Sequence, residues 1–314
     1  MFMLANVFRA VALRAVAMVL FLMLFVKVFA GDTATIVFTG DILLDRGVRQ
    51  RIAISGVEAL FSESVDSVFG LADVVVGNLE CPATKIKEPV FKRFVFRGEP
   101  EWLEALRRHG FTHLNMANNH SIDQGREGLM DTRKNIELAG MTPIGAGRNM
   151  AEASVPVVLT TSPRKVYLFA SLRLPLENMA YLTDRPCVSQ ESMDTLVSRI
   201  ERLRREEPES YIIVSLHWGV EHRLVPQPSQ IEKARRLVDA GADCLVCHHT
   251  HTLQTVENYR GRRIYYSIGN FIFDQRKPIN TRACMVKLRI YSSGSDVETI
   301  PVEIEHCRPS VVEK

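Results

Sequence analysis

The sequence predicts an α/β fold with a largely parallel sheet, and two recurring observations predict it. Short apolar runs alternate with segments of helical periodicity, and run after run ends in glycine, asparagine, histidine or a carboxylate. Strand and helix in alternation imply parallel strands joined by crossovers. Strands are expected over Thr35–Thr39, Asp73–Val76, Thr112–Met116, Val166–Ala170, Tyr211–Leu216, Asp243–Val246 and Ile264–Ile268.

Between them, a helix expected over Pro100–Arg108 opens on proline and stops at Gly110, and one over Gln124–Ala139 stops at Gly140. A third, over Gln230–Ala240, has Ser229 and Glu232 as a capping box and Ile231, Ala234 and Val238 on one face. The charged run Arg202–Glu209 reads as the solvated end of a further helix. Cys81–Glu99 and Leu172–Ser189 read as excursions from the sheet that border a cleft. After Tyr291, the alternation in Val297-Glu298-Thr299-Ile300 fits a closing antiparallel strand.

The strand ends carry the chemistry. Gly40-Asp41 follows the first, Gly77-Asn78-Leu79-Glu80 the second, and Asn118-Asn119-His120 with Asp123 the third. Later come His217-Trp218-Gly219 with Glu221, His248-His249-Thr250-His251, and Gly269-Asn270. Each has a structural explanation when taken alone: Asp41 orders a turn, Glu80 is a solvated loop carboxylate, Asn118-Asn119 marks a turn, and His217 packs beside Trp218. In an open α/β sheet, however, ligands bind at the carboxyl ends of the strands, so these groups are expected to converge. Carboxylates, an amide and several imidazoles suit Mn, Fe or Zn, one ion or two, and suit Ca poorly. A carboxylate shared between two ions would clamp a phosphoryl or acyl oxygen and lower the pKa of a bound water.

Composition narrows the partners. The chain has 314 residues, is 46% hydrophobic and 24% charged, and carries a formal net charge of +3, which gives no argument for nucleic acid. Residues 1–30 differ from the rest: Arg9 and Arg14 precede an apolar run from Ala15 to Val26, and Val28-Phe29-Ala30 is a small-residue cleavage pattern. They read either as a cleaved export signal or, with Lys27 snorkelling, as an anchor over Ala10–Ala30, and both place a single domain over 31–314 outside the cytoplasm. The six cysteines are too few for a disulfide scaffold. Cys244 and Cys247 have CxxC spacing but sit on a strand, where residues three apart point to opposite faces, so they read as core thiols. His109 and His113 flank a strand start and read as exposed or packed, and His222 and His306 lack a neighbouring cluster. Arg97, after the aromatic stretch Phe91-Lys92-Arg93-Phe94-Val95-Phe96, reads equally as an anion contact or a surface residue.

The blocks from Thr35 to Gln275, in their order, resemble the CapA-type poly-γ-glutamate capsule biosynthesis family: Thr39-Gly40-Asp41-Ile42-Leu43-Leu44, Gly77-Asn78-Leu79-Glu80, Asn118-Asn119-His120 through Gly125, His217-Trp218-Gly219 with Glu221, the double-histidine run to His251, and Ser267-Ile268-Gly269-Asn270-Phe271-Ile272-Phe273-Asp274. The resemblance implies a fold similar to the calcineurin-like metallophosphoesterases, a two-sheet α/β/β/α sandwich with helices on the outer faces. It implies that Asp41 and His251 hold a first divalent ion, that Asn119, His217 and His249 hold a second, and that Glu80 bridges them. His120 would protonate the leaving group or steady the transition-state oxygen, with Asp123 orienting it. Glu221 would support His217 from behind, and His248 and Asn270 stand beside the ligands. Two positions depart from the phosphoesterase pattern: Leu43 stands where a histidine ligand is usual, and Glu80 where an aspartate is.

The implied role is an exported or membrane-anchored protein that makes or exports an anionic polymer such as poly-γ-glutamate, with membrane-bound synthesis partners and a hydrolase-like site. The rival readings are an envelope phosphoester or amide hydrolase unrelated to capsule, and a non-catalytic polyanion-binding module.

Overall fold

A computed structural model describes residues 33–177 and 179–312, so the expected export segment lies outside the described residues. Among the described residues no helix is long and apolar enough to cross a membrane.

In chain order the strands are β1 (Ala34–Ile42), β2 (Val74–Leu79), β3 (His113–Asn115), β4 (Thr142–Ile144), β5 (Ala146–Gly147), β6 (Val157–Thr160), β7 (Val166–Leu172) and β8 (Cys187–Val188). They continue as β9 (Tyr211–His217), β10 (Cys244–Val246), β11 (Val256–Tyr259), β12 (Arg262–Tyr265), β13 (Asn270–Ile272), β14 (Arg282–Ile290), β15 (Ser295–Glu305) and β16 (Arg308–Val311). One sheet runs β16-β15-β14-β1-β2-β3-β4, with β13 pairing on β1, and a second runs β11-β12-β10-β9-β7-β6. The principal helices are α1 (Arg46–Ser55), α2 (Glu63–Phe69), α3 (Leu103–Arg108), α4 (Gly125–Leu138), α5 (Met193–Glu206) and α6 (Pro228–Asp239).

Strand alternation builds the layers. On β1 and β2, Ile36, Phe38, Val74 and Val76 join Leu168, Ile213, Val246 and Tyr265 of the other sheet in one cluster between the sheets. Val37 and Val75 turn the opposite way, onto Val48, Val65, Leu106 and Leu129 of α1 to α4. On the far side, Ile212, Val214 and Leu216 pack against Leu196 and Ile200 of α5 and Ala234 and Leu237 of α6. The result is the expected α/β/β/α sandwich. Each fully buried branched side chain in these layers contributes roughly 1.5–3 kcal/mol. The thiols obey the same alternation, Cys244 facing the inter-sheet layer and Cys247 the helices, and burial pushes Cys247 up to about 12. They are core thiols, not ligands.

Three local expectations need correction. The helix at Pro228 is capped by Gln227, whose backbone N–H donates to the Gln230 side chain at 2.9 Å, so Ser229 and Glu232 form no capping box and proline opens the helix. Pro100–Trp102 is a 3-10 turn that leads into α3. The apolar run Ile264–Ile268 is not one strand: β12 ends at Tyr265, and the chain crosses to the other sheet to form β13. The crossing turns at Gly269, whose φ of 78° disfavours other residues. The long strand β14 has no clear signal in the sequence because lysine and arginine interrupt its apolar residues; it pairs antiparallel with β1 from Ala34↔Ile290 to Phe38↔Val286.

This crossing requires Gly40. A Cβ there would lie 2.2 Å from the Gly269 carbonyl oxygen and 2.6 Å from that of Asn270, both backbone atoms that cannot swing away. Gly40→Ala is expected to destabilise the fold at or above the upper end of the roughly 1–3 kcal/mol usual for overpacking. Denaturant unfolding at the wild-type midpoint would contradict that.

Candidate metal centre

Register brings the polar strand ends into one row. Asn270, Asp41, Asn78 and Asn115 are successive partners across β13, β1, β2 and β3. From the second sheet, His217 closes β9 and bridges to His248 just after β10. Asp41, Glu80 and His217 are fully buried, and His248, His249 and His251 nearly so. His249 and His251 hold positive φ angles of 95° and 55°, uncommon for histidine, so the turn that aims their rings is strained.

Two ligand groups share Glu80. Glu80, His217 and His249 form one and Asp41, Glu80 and His251 the other, with the donor atoms of each group within 4.8 Å of one another. In the first, His217 Nε2 lies 3.1 Å from His249 Nδ1 and 3.4 Å from Glu80 Oε1. In the second, His251 Nδ1 lies 3.3 Å from Asp41 Oδ2 and 3.8 Å from Glu80 Oε2. Donors about one ion at roughly 2.1 Å are spaced by about 3.0–3.4 Å, so the contacts of His217 with His249 and Glu80 have the spacing of a coordination shell and the second group is slightly open. Both Glu80 carboxylate oxygens, Asp41 Oδ2, His248 Nδ1 and the Asn119 side-chain oxygen are buried with no hydrogen-bond partner. Buried polar atoms are rarely left so, and a divalent cation is the partner that satisfies carboxylate, amide and imidazole lone pairs together. The residues fit the ion that the sequence implies.

The electrostatics agree. Burial, then the Asp41 charge, raises Glu80 well above the usual carboxylate range. Burial would raise Asp41 too, but the His248 and His251 imidazoles beside it hold it well below that range. Burial, followed by repulsion from neighbouring imidazoles, lowers His217 strongly and brings His249 to about 3, leaving both rings neutral. His251 is the exception: burial works against its charge, yet Glu80 and Asp41 lift it to about 9. At pH 7 the metal-free site therefore holds a proton on His251 that a bound ion must displace. Apparent metal affinity is expected to rise about tenfold per pH unit for each displaced proton as pH climbs toward 9, and to fall below pH 7. Titrations of Mn at pH 6 and 8 measure this; equal affinities would contradict it.

Around the ligands the sequence-predicted residues divide. His120 Nδ1 pairs with Asp123 Oδ2 at 2.8 Å, as expected for an oriented imidazole. Asn270 accepts from His251 Nδ1 at 2.9 Å and donates to Gln275. His248 faces inward, its Nδ1 3.4 Å from Asp41 Oδ1, on the side where Leu43 provides no nitrogen because it is buried in the core against the helices. Glu221 does not support His217. It is exposed and pairs with His222 at 3.8 Å, because Gly219, with φ of 96°, turns the chain outward. Beside the His217 ring lies Asn78 instead, whose amide nitrogen is 3.3 Å from Nδ1 and donates to Asp41 at 2.8 Å. Asn118 in turn donates to the Asn78 side-chain oxygen and the Leu79 carbonyl. Asn78 and Asn118 stood in the motifs without a role; their signal was an amide ending an apolar strand. Arg97 is committed within the protein, to the Thr84 carbonyl and the Glu99 carboxylate. His222 does have company, its ring centroid 6.4 Å from that of His251.

Two facing mixed sheets, with ligand groups where their strands end, define a calcineurin-like metallophosphoesterase fold, and solved structures bear this out. A hypothetical protein of Thermus thermophilus superposes with a TM-score of 0.53 at 13% identity, over 86% of this chain and all of its own. The sulfate thiohydrolase SoxB of the same organism gives 0.51 at 11% identity, over 85% of this chain and 56% of its own. Within that fold, the chain belongs to the bacterial capsule synthesis protein family PGA_cap, whose model matches residues 35–275. It is 30% identical to the PGA biosynthesis protein CapA of Bacillus subtilis (strain 168), over 92% of this chain and 76% of that one.

Proposed function

We propose that this protein acts at the cell envelope in making or exporting a γ-linked glutamate polymer, as a metal-dependent hydrolase whose ions are bridged by Glu80. The observation that carries the hydrolase reading is the pair of ligand groups sharing one buried carboxylate with both oxygens unpartnered. The family supports the polymer, and residues 1–30 support an exported or anchored location.

Asp41 and His251 would hold one divalent ion of Mn, Fe or Zn, and Asn119, His217 and His249 a second. A bound ion supplies Lewis-acid polarisation of a phosphoryl or acyl oxygen and acidifies a water. The chain supplies the rest. Asp123 accepts a hydrogen bond from His120 Nδ1–H, which keeps that proton on Nδ1 and leaves Nε2 as the atom that exchanges a proton with the leaving group. Burial lowers His120, against the pull of Asp123, so the ring is neutral at pH 7 and Nε2 is free to take a proton from the attacking water and pass it to the leaving group. Phe96, with its ring centroid 4.3 Å from that of His120, shields one side of the imidazole from water.

The purified protein with added Mn is the test, assayed on poly-γ-glutamate by chain length and on a phosphate monoester by phosphate release. Shortening of the polymer that disappears in His120→Ala supports the proposal. Turnover of the phosphoester alone moves the substrate to an envelope phosphoesterase. Bound metal with no turnover of either makes the chain a polyanion-binding module and overturns the hydrolase.

A further inference from the structure

The segment between β2 and α3 buries a lysine that the chemistry above does not use. The Lys92 side chain is 3% exposed, and its ammonium lies 2.5 Å from Oδ1 of the fully buried Asp123. It also donates to the Asn119 carbonyl oxygen at 2.9 Å. Lysine is almost never buried unless paired, and a buried ion pair is seldom more stabilising than apolar side chains of the same volume. Stability alone therefore does not account for Lys92, whereas its two partners do. Asp123 orients His120, and Asn119 carries the amide whose side-chain oxygen has no hydrogen-bond partner.

The same segment grips Asp123 elsewhere. The Phe96 backbone N–H donates to Oδ2 at 2.8 Å and the Val90 N–H to the Asp123 carbonyl at 3.0 Å. With the Lys92 ammonium paired by charge with one carboxylate oxygen and the Phe96 amide donating to the other, the carboxylate is held from both sides, and Oδ2 stays where His120 Nδ1 meets it. With the Asn119 carbonyl tied to the same ammonium, the peptide that aims the Asn119 amide is fixed as well.

We propose that Lys92 is a positioning residue, which locks Asn119 and the His120–Asp123 pair into one rigid unit so that the amide oxygen and imidazole Nε2 are presented together to the metal centre. The inference rests on the reading of Asn119 and His120 as site groups given above, but its test does not need turnover. Lys92 sits in a loop that otherwise stands outside the sheet, and this gives that loop a function.

Histidine-ring nitrogen NMR on the metal-free protein tests it first. Wild-type His120 is expected as the neutral tautomer protonated at Nδ1; finding the proton on Nε2 overturns the proposal before any variant is made. Lys92→Met keeps the volume and removes the charge. With folding verified by circular dichroism, it is expected to lose the Nδ1–H signature and to weaken the more loosely held Mn ion by about 10–100-fold, the usual cost of losing a partner behind a ligand. Lys92→Arg is expected to retain the signature. An unchanged signature with unchanged Mn affinities in Lys92→Met overturns the proposal, and if that variant does not fold the wild-type tautomer decides. A lost signature in a protein with no detectable turnover leaves Lys92 standing and removes the hydrolase instead.

Discussion

Replacing Glu80 with glutamine is expected to abolish tight divalent-ion binding and, in the metal-free protein, to raise the melting temperature. Both effects follow from one geometry. Glu80 belongs to both ligand groups, so its loss weakens both ions together, by more than the roughly 10–100-fold that follows loss of an outer partner. In the metal-free state the carboxylate is fully buried, neither oxygen is hydrogen-bonded, and its proton affinity is raised by burial and by Asp41. A glutamine amide can donate to the unpartnered Asp41 Oδ2, relieving about 1–3 kcal/mol of unsatisfied polarity, which is a few degrees in a chain of this size. Calorimetric Mn titration and thermal unfolding in chelator measure the two. A variant that binds Mn like wild type, or one that melts lower without metal, contradicts the assignment of Glu80.

His120→Ala is expected to lower kcat by about 10²–10⁴-fold while leaving metal content unchanged. His120 belongs to neither ligand group; its ring is held by Asp123 on one edge and Phe96 on one face. Its loss therefore removes a proton-transfer group without removing a ligand. The opposite pattern is expected for His249→Ala, which takes a donor from the group with coordination spacing and should lose metal first. If His120→Ala loses metal and His249→Ala does not, the two roles are exchanged.

Much of this site was legible in the sequence because its ligands end hydrophobic strands, where alternation and the polar stop reveal both the strand and the direction of its last side chain. Asp41, Glu80, His217, His249 and His251 are legible that way, and they come together in the two ligand groups. Groups acting through the backbone or across loops were not legible. Lys92 has no role of its own in the aromatic stretch Phe91–Phe96, and only the fold carries it 31 residues along the chain to Asp123. Glu221 misled for the converse reason: it is near His217 in sequence, but the Gly219 turn faces it outward. The polar row shows the limit most clearly. Asn270 comes last in sequence, yet Gly40 admits its strand directly beside Asp41, a close approach written only in the absence of a side chain.

That row and the shared carboxylate make the central claim, which is that groups from both sheets surround divalent ions bridged by Glu80. Anomalous diffraction from crystals soaked in Mn tests this most directly. The expected result is density about 2 Å from Glu80, with His217 and His249 on one side and Asp41 and His251 on the other. A fully soaked crystal with no anomalous density at Glu80, or with Mn bound only elsewhere on the protein, would contradict it.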